Sequence, residues 1–285
     1  MTACVFDPVF CARHDDPTHP ENARRLHRIT VPAAWPRVPL RPATDEELLA
    51  VHTPGYLARI SAMCAAGGGR LDPDTYCGPE SETVSRMISG ALVDLTLGVW
   101  SGAHRNGFCL MRPPGHHATS DRVMGFCLHN HIAVAAAALR RAGAARVAIL
   151  DFDVHHGNGT QDIFAADPTV LFVSSHQFPH YPGSGRADER GHGPGLGSTR
   201  NAPLPAGAGD AELLAVWRDE LLPAVADFAP EMILVSAGYD AHAADPLAGL
   251  TVTTSGFGEL VGMILAAADA ACSGRIVFHL EGGYD

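Results

Sequence analysis

The stretch "ILDFDVHHGNGTQ" (149–161) joins an apolar run to a dense group of polar side chains, and this combination indicates the fold class. The apolar residues at its start are typical of a central strand in a parallel sheet, buried on both faces. Two carboxylates, Asp151 and Asp153, and two imidazoles, His155 and His156, follow directly. Because buried charges persist where a partner or a metal ion satisfies them, this strand end is a candidate functional site.

The same alternation of apolar runs and helical patterns extends along the chain. Apolar or β-branched runs predict buried strands at 4–10, 107–111, 146–153, 169–175, 232–238 and 275–283. Residues at helical spacing predict helices between them, at 80–100, 130–143, 210–228 and 255–274. Strands that alternate with helices predict an α/β domain with a parallel sheet covered on both faces. The Gly-rich stretch 183–209 is predicted to be one long loop.

Composition and charge narrow the functional classes. The 285 residues show no shift in composition, so a single domain over 1–285 is predicted. The formal net charge of −11 disfavours nucleic acid as a partner, because phosphates would be repelled. No uncharged apolar stretch reaches the roughly 18 to 20 residues of a membrane helix, and no secretory signal begins the chain. We therefore expect a cytoplasmic protein with no membrane partner and with reduced cysteines.

Polar clusters follow four of the predicted strands, at 112–118, 153–159, 238–246 and 282–285. In open α/β sheets, ligands bind beyond the carboxyl ends of the strands. Four clusters at such ends therefore predict one pocket, assembled from loops that are distant in sequence.

The second of these clusters predicts a metal site. Asp153 and His155 share a face of an extended segment, and zinc accepts both carboxylate oxygen and imidazole nitrogen. A catalytic zinc ion typically has three protein ligands, and Asp240 is the candidate for the third. Asp151 would orient the ligands from behind. An isolated Asp-x-His is more often an ion-paired loop, but the buried strand before it and the second carboxylate at Asp240 favour a metal ion.

Acid–base chemistry is predicted from the adjacent pair His116 and His117, since imidazoles titrate near neutral pH. Asp151 and Asn158 are available to set the tautomers of these rings. Alone, such a pair is more often a solvated loop or a second metal site. Tyr284 follows two glycines and could donate a hydrogen bond to an oxyanion, although an isolated Gly-Gly-Tyr is usually a turn.

Together these clusters resemble the zinc-dependent histone deacetylase superfamily, which includes class II deacetylases, acetylpolyamine amidohydrolases and bacterial relatives. The segments that carry the resemblance span nearly the whole chain in the family's order: "HPENARRLHRI" (19–29), "VHTPGYLARI" (51–60), "LDPDTYCGPES" (71–81), "RPPGHHA" (112–118), "MGFCLHN" (124–130), the opening stretch, "SAGYDAHAADPLAG" (236–249) and "LEGGYD" (280–285). The resemblance implies the arginase/deacetylase fold, a single α/β domain around an eight-stranded parallel sheet. Relatives usually continue for some tens of residues beyond the tyrosine, so we expect this chain to lack the usual C-terminal segment.

The resemblance also implies a role for each site residue. One zinc ion per chain would be held by Asp153, His155 and Asp240. Five residues would serve catalysis. His117 would act as general base and then acid, supported by Asn158, and His116, backed by Asp151, would tune the electrostatics. Tyr284 would polarise the acetyl carbonyl. A narrow substrate channel would be lined by Gly125, Phe126, Tyr181 and Leu247. A structural potassium ion would be bound by oxygens of Asp151, Asp153, His155, Ser174 and Ser175.

The implied function is a zinc-dependent amidohydrolase that removes acetyl groups from lysine side chains or similar acetylated amines, releasing acetate and a free amine. Acetylpolyamines and small acetylated metabolites stay open as substrates. Leu247, at the place of an acidic gatekeeper, favours lysine-type substrates, whereas the net charge of −11 favours polyamines. Two other interpretations also stay open, an arginase-like binuclear hydrolase and a module that binds acylated amines without cleaving them.

Overall fold

Seven parallel strands form the main sheet of this protein in a computed structural model that describes all 285 residues, Met1–Asp285. Two further strands, β2 and β3, form a separate antiparallel ribbon. The nine strands are β1 Thr2–Val5, β2 Gly69–Arg70, β3 Tyr76–Cys77, β4 Asn106–Cys109, β5 Val147–Asp151, β6 Val170–Gln177, β7 Thr199–Leu204, β8 Met232–Ala237 and β9 Ile276–Leu280. The order in the main sheet is β1-β4-β9-β8-β5-β6-β7. The fold class predicted from the sequence is thereby confirmed.

Nine α-helices surround the sheet. They are α1 Pro8–Cys11, α2 Asp45–Leu49, α3 Pro54–Ala65, α4 Ser81–Trp100, α5 His131–Arg141, α6 Asn158–Phe164, α7 Asp210–Val216, α8 Leu222–Phe228 and α9 Thr254–Cys272. A π-helical turn at Trp217–Leu221 joins α7 to α8, so the helix predicted over 210–228 is interrupted rather than regular. The other three predicted helices correspond to α4, α5 and α9, with ends shifted by at most a few residues.

The sheet divides the apolar core in two, and strand β5 is buried on both of its faces. Val147 and Ile149 point into the core that contains α4 and α5, whereas Ala148 and Leu150 point into the core that contains α7, α8 and α9. This alternation is what a parallel strand between two helical layers requires. Because β5 lies between β8 and β6, the residues after these strands leave the sheet at the same edge.

Helix α9 is long and apolar enough to cross a membrane by length and composition alone. In this fold one of its faces is buried in the second core, through Phe257, Leu260, Ile264 and Ala268. This face packs on the sheet, and 33% of the most apolar window of α9 is buried.

Two of the elements predicted from sequence are wrong in part. The strand predicted at 4–10 ends at Val5, because Pro8 begins α1 and Asp7 caps it by accepting a 2.9 Å hydrogen bond from the amide of Phe10. The loop predicted at 183–209 contains the edge strand β7, which pairs with β6. Its sequence, "TRNAPL", has little apolar character and contains a proline, which edge strands tolerate.

The sheet has seven strands rather than the eight implied by the resemblance. Beside β1, Arg37 forms only a single parallel bridge with Cys4. Pro36 and Pro39 flank this bridge and lack the backbone N–H that a longer ladder needs, so no strand forms there.

Candidate active site

Three side chains predicted to bind metal meet beyond the carboxyl ends of β5 and β8. Nδ1 of His155 lies 3.2 Å from Oδ1 of Asp153 and 3.1 Å from Oδ2 of Asp240, and the ligand atoms of all three residues lie within 4.8 Å of one another. We call these residues the metal trio. Ligands about 2.0 to 2.1 Å from one tetrahedral zinc ion lie about 3.3 Å apart, so this donor set fits a single divalent ion.

The surrounding backbone holds the metal trio in this arrangement. Asp240 accepts a 2.9 Å hydrogen bond from the amide of Val154, and Asp153 accepts a 2.8 Å hydrogen bond from the amide of Gly282. A Cβ on Gly282 would lie 2.0 Å from Oδ2 of Asp240 and 2.6 Å from Oδ2 of Asp153. Only glycine therefore lets the chain pass the two carboxylates this closely.

The electrostatics of the metal trio favour a cation. Burial opposes the charged form of His155, but the carboxylates of Asp153 and Asp240 outweigh it and raise its pKa to about 10. Burial, together with the neighbouring Asp153, raises the pKa of Asp240 to about 6. Two buried carboxylates this close attract positive charge, which a divalent ion would supply.

The two adjacent histidines have different partners and opposite pKa shifts. Nδ1 of His116 lies 2.9 Å from Oδ2 of Asp151, whereas Nδ1 of His117 lies 2.8 Å from Oδ1 of Asn158. Burial opposes the charged form of His116, but Asp151 and neighbouring carboxylates outweigh it and raise its pKa well above the ordinary value. Burial and the adjacent His116 lower the pKa of His117 well below the ordinary value.

These partners assign a tautomer to His117. Because an amide oxygen only accepts hydrogen bonds, the contact with Asn158 places the proton of His117 on Nδ1 and leaves Nε2 as a base. The amide of Asn158 is oriented by its own hydrogen bond from Nδ2 to the sulfur of Met124. The opposite pKa shifts favour a proton acceptor at His117 and a positive charge at His116.

A cavity of about 220 Å³ reaches His155 of the metal trio and is lined by all four predicted channel residues. It is lined by Gly125, Phe126, Tyr181 and Leu247, with His116, His117, His155 and Tyr284 among the residues at its inner surface. The ring of Tyr181 lies edge-on to His117 with centroids 5.3 Å apart, and Phe126 lies edge-on to Tyr284 at 5.8 Å. A larger cavity of about 630 Å³ lies beside Tyr284 but includes neither His117 nor His155.

Contacts to both the backbone and the ring fix the position of Tyr284. Its amide donates a 2.6 Å hydrogen bond to Oδ2 of Asp245. Arg25 donates to the carbonyl oxygen of Gly283 at 2.7 Å, and its guanidinium lies over the Tyr284 ring, 4.6 Å from the centroid. These contacts position the phenol at the cavity that the two histidines line.

Comparison with known proteins agrees with this geometry. A model of the histone deacetylase domain matches residues 19–285. The chain belongs to the histone deacetylase family. The probable deacetylase of Archaeoglobus fulgidus is 38% identical over 100% of this chain and 81% of its own length. The histone deacetylase-like amidohydrolase of Pseudomonas aeruginosa is 43% identical over 93% of this chain and 71% of its own.

Other members of the histone deacetylase family are matched over different shares of their length. Histone deacetylase 10, chloroplastic, of rice is 43% identical over 86% of this chain, and the match spans 58% of the rice protein. The crystal structure of the HDA15 HD domain superposes with a TM-score of 0.94 at 36% identity, covering 100% of this chain and 84% of that one. At this similarity the resemblance stated from sequence is confirmed.

The residues that the family resemblance assigns to potassium lie together at the ends of β5 and β6. Asp151 and Ser174 are direct neighbours across the two strands. The hydroxyl of Ser174 bonds Nδ1 of His176 at 2.9 Å, and the hydroxyl of Ser175 accepts a 2.9 Å hydrogen bond from the indole of Trp217. The atom that the resemblance assigns at Ser175 is the backbone oxygen rather than this hydroxyl, and the potassium ion stays a prediction.

Several residues that support the site were not singled out from sequence. They are Glu21, Arg25, Asp74, Arg112, Asp245 and Glu281. Arg112 and Glu21 form a fully buried ion pair, and Glu21 also contacts Arg25 at 3.1 Å, which ties the segment 19–29 to the backbone before Tyr284. Glu21 and Arg25 lie in the segment "HPENARRLHRI", and Arg112 begins "RPPGHHA". The spacing of these residues in the sequence does not reveal that they form ion pairs.

Replacing Gly125 by alanine is expected to impair both folding and the channel. Gly125 has a φ of +57°, and a Cβ there would lie 2.2 Å from Cδ2 of His117. The strain of the left-handed backbone and the clash together should lower the free energy of unfolding by about 2 to 4 kcal/mol, measured by urea denaturation. The displaced His117 ring should also lower kcat.

A matched control for this substitution is Gly258→Ala on α9, where a Cβ would meet nothing within 4 Å. That variant should be as stable as the wild type or more stable by about 0.5 to 1 kcal/mol, because alanine favours a helix. Equal stability of Gly125→Ala and the wild type would contradict the close contact with His117.

Proposed function

We propose that this chain is a metal-dependent amidohydrolase that removes acetyl groups from acetylated aliphatic amines, with acetylated lysine side chains as the favoured substrates. The observation that carries the proposal is the metal trio beside a neutral His117, whose base nitrogen is free, at the end of a narrow cavity. Membership of the histone deacetylase family supports the same reaction class.

We assign a zinc ion to the metal trio, because one imidazole and two carboxylates at these separations suit zinc and leave a position open. A bound zinc ion would supply Lewis-acid polarisation of the amide carbonyl and acidification of water. The potassium ion belongs to the same proposal, at the oxygens around Asp151 and Ser174.

The remaining steps belong to side chains of this protein. Nε2 of His117 accepts the proton of the attacking water, while Asn158 holds the ring through Nδ1. His116, hydrogen-bonded to Asp151, stabilises the negative charge that develops on the carbonyl oxygen. The hydroxyl of Tyr284 donates a hydrogen bond to that oxygen. The C–N bond then breaks, and His117 returns its proton to the leaving amine, which gives acetate and free amine.

The cavity supports a substrate with an aliphatic stem. Phe126 and Tyr181 provide aromatic walls, and the apolar Leu247 lies at the same cavity. These residues suit the methylene chain of acetyl-lysine, which would pass between the rings with its amide towards the metal trio.

Acetylpolyamines are the second candidate substrates. The carboxylate of Asp74 also lines the cavity, and the net charge of −11 attracts polycations. An arginase-like binuclear centre has less support, because the metal trio is the one group of its kind in the chain. A module that binds without cleaving has less support too, since His117 and Tyr284 supply groups that only catalysis requires.

The test is a panel of acetyl-lysine peptides and acetylated polyamines, with acetate release and metal content measured on the same zinc-loaded preparation. We expect acetate release from both classes, with a higher kcat/KM for the peptides. A higher kcat/KM for the polyamines would transfer the assignment to the second candidate. A preparation that contains zinc and releases acetate from neither class would overturn the proposed function.

A further inference from the structure

A buried carboxylate outside the metal trio and the catalytic residues accepts hydrogen bonds from the loop that carries His116 and His117. Glu281 is completely buried. Its Oε2 accepts hydrogen bonds from the amides of Gly115 at 2.6 Å and His116 at 3.1 Å, and its Oε1 accepts one from the hydroxyl of Ser236 at 2.9 Å. Every donor around this carboxylate therefore comes from another part of the chain.

Sheet topology explains how these groups meet. Strands β4 and β9 are parallel neighbours, with Cys109 opposite His279. The loop 110–118 that follows β4 and the residues that follow β9 therefore leave the sheet side by side. Two prolines in this loop, Pro113 and Pro114, have no backbone N–H, so the amides of Gly115 and His116 are the next backbone donors after Arg112. Buried without an acceptor, each amide would cost about 1 to 3 kcal/mol.

The residues after Glu281 contact the other parts of the site. The amide of Gly282 donates to Asp153 of the metal trio, and the carbonyl oxygen of Gly283 accepts from Arg25 just before Tyr284. We infer that Glu281 is a positioning residue, which holds the His116–His117 loop in register with Tyr284 and the metal trio. This inference rests on the proposed function and extends it to a residue that touches no reacting atom.

The inferred role depends on the reach of the side chain and on its acceptor atoms. A glutamine could accept both amide hydrogen bonds through its oxygen and donate its own N–H to Ser236. Burial raises the pKa of Glu281 to about 7, so a neutral group at this position is a modest change. An aspartate keeps the carboxylate but is shorter by one methylene, about 1.5 Å, and cannot reach the loop from the same backbone.

The test compares Glu281→Gln with Glu281→Asp in the full chain loaded with zinc. We expect Glu281→Asp to lower kcat by about 10- to 100-fold, because small misplacements of catalytic groups have effects of this size. KM should stay within about three-fold for both variants, and kcat of Glu281→Gln within about three-fold of the wild type. The exposed Glu212, which accepts a hydrogen bond from Gly209 at the start of α7, gives the matched control Glu212→Asp, with unchanged kinetics.

Hydrogen exchange of the peptide that contains Gly115 and His116 gives a second readout that does not depend on activity. This peptide should exchange faster in Glu281→Asp and at the wild-type rate in Glu281→Gln. Unchanged exchange in Glu281→Asp, or equal loss of kcat in both variants, would overturn the inference. If the wild type releases no acetate, the proposed function fails, and hydrogen exchange alone decides whether Glu281 holds the loop.

Discussion

An Asp153→Ala variant is expected to lose its bound metal and its acetate release together. The substitution removes one ligand of the metal trio and also the acceptor for the amides of His155 and Gly282. With one imidazole and one carboxylate left, the ion should dissociate during dialysis. Acetate release should fall by at least about 1,000-fold, equivalent to roughly 4 kcal/mol of transition-state stabilisation. Metal analysis of the dialysed protein and a discontinuous acetate assay would measure the two effects.

The control is Asp188→Ala, which removes an exposed carboxylate that pairs only with Arg186 in a surface loop. This variant should keep both metal and activity, since exposed ion pairs contribute little to stability. Zinc bound to Asp153→Ala at the wild-type stoichiometry would contradict the assignment of Asp153 as a ligand.

A Tyr284→Phe variant should behave in the opposite way, keeping its metal and losing most of its turnover. The phenol is not part of the metal trio, but it lies at the cavity, between Phe126 and Arg25. Loss of a hydrogen-bond donor to a developing oxyanion typically lowers kcat by about 100- to 1,000-fold. KM should change little, because the donor acts mainly in the transition state.

Tyr239→Phe is the matched control for this prediction. Tyr239 lines the larger cavity and its hydroxyl has no hydrogen-bond partner, so its loss should leave kcat near the wild-type value. Wild-type turnover by Tyr284→Phe would show that the phenol does not stabilise the transition state.

Much of the site was predictable because it depends on strand ends. Asp153 and His155 follow an apolar run of the chain, and Asp240 follows another such run. The chain leaves parallel strands at one edge of a sheet, so residues far apart in sequence are predicted to lie close together. The neighbours Asp151 and Asn158 lie behind His116 and His117 at hydrogen-bond distance, as the family resemblance implied.

Other features could not be derived from local pattern. The sequence of β7 is typical of a loop, and this segment forms a strand because its backbone pairs with the edge of β6. The hydrogen bond between Gly115 and Glu281 joins residues 166 positions apart, and the hydrogen bond between Arg25 and Gly283 joins residues 258 positions apart. Such contacts arise from tertiary packing, for which periodicity and spacing carry no signal.

Zinc K-edge X-ray absorption of the wild-type protein, with metal analysis of the same sample, would identify the atoms that bind the metal ion. We predict one zinc ion per chain, bound only by nitrogen and oxygen at about 2.0 to 2.2 Å, with a single imidazole among its ligands. Sulfur in the shell, more than one imidazole, or a second metal ion per chain would contradict the assignment of Asp153, His155 and Asp240 as the ligands of a mononuclear hydrolase.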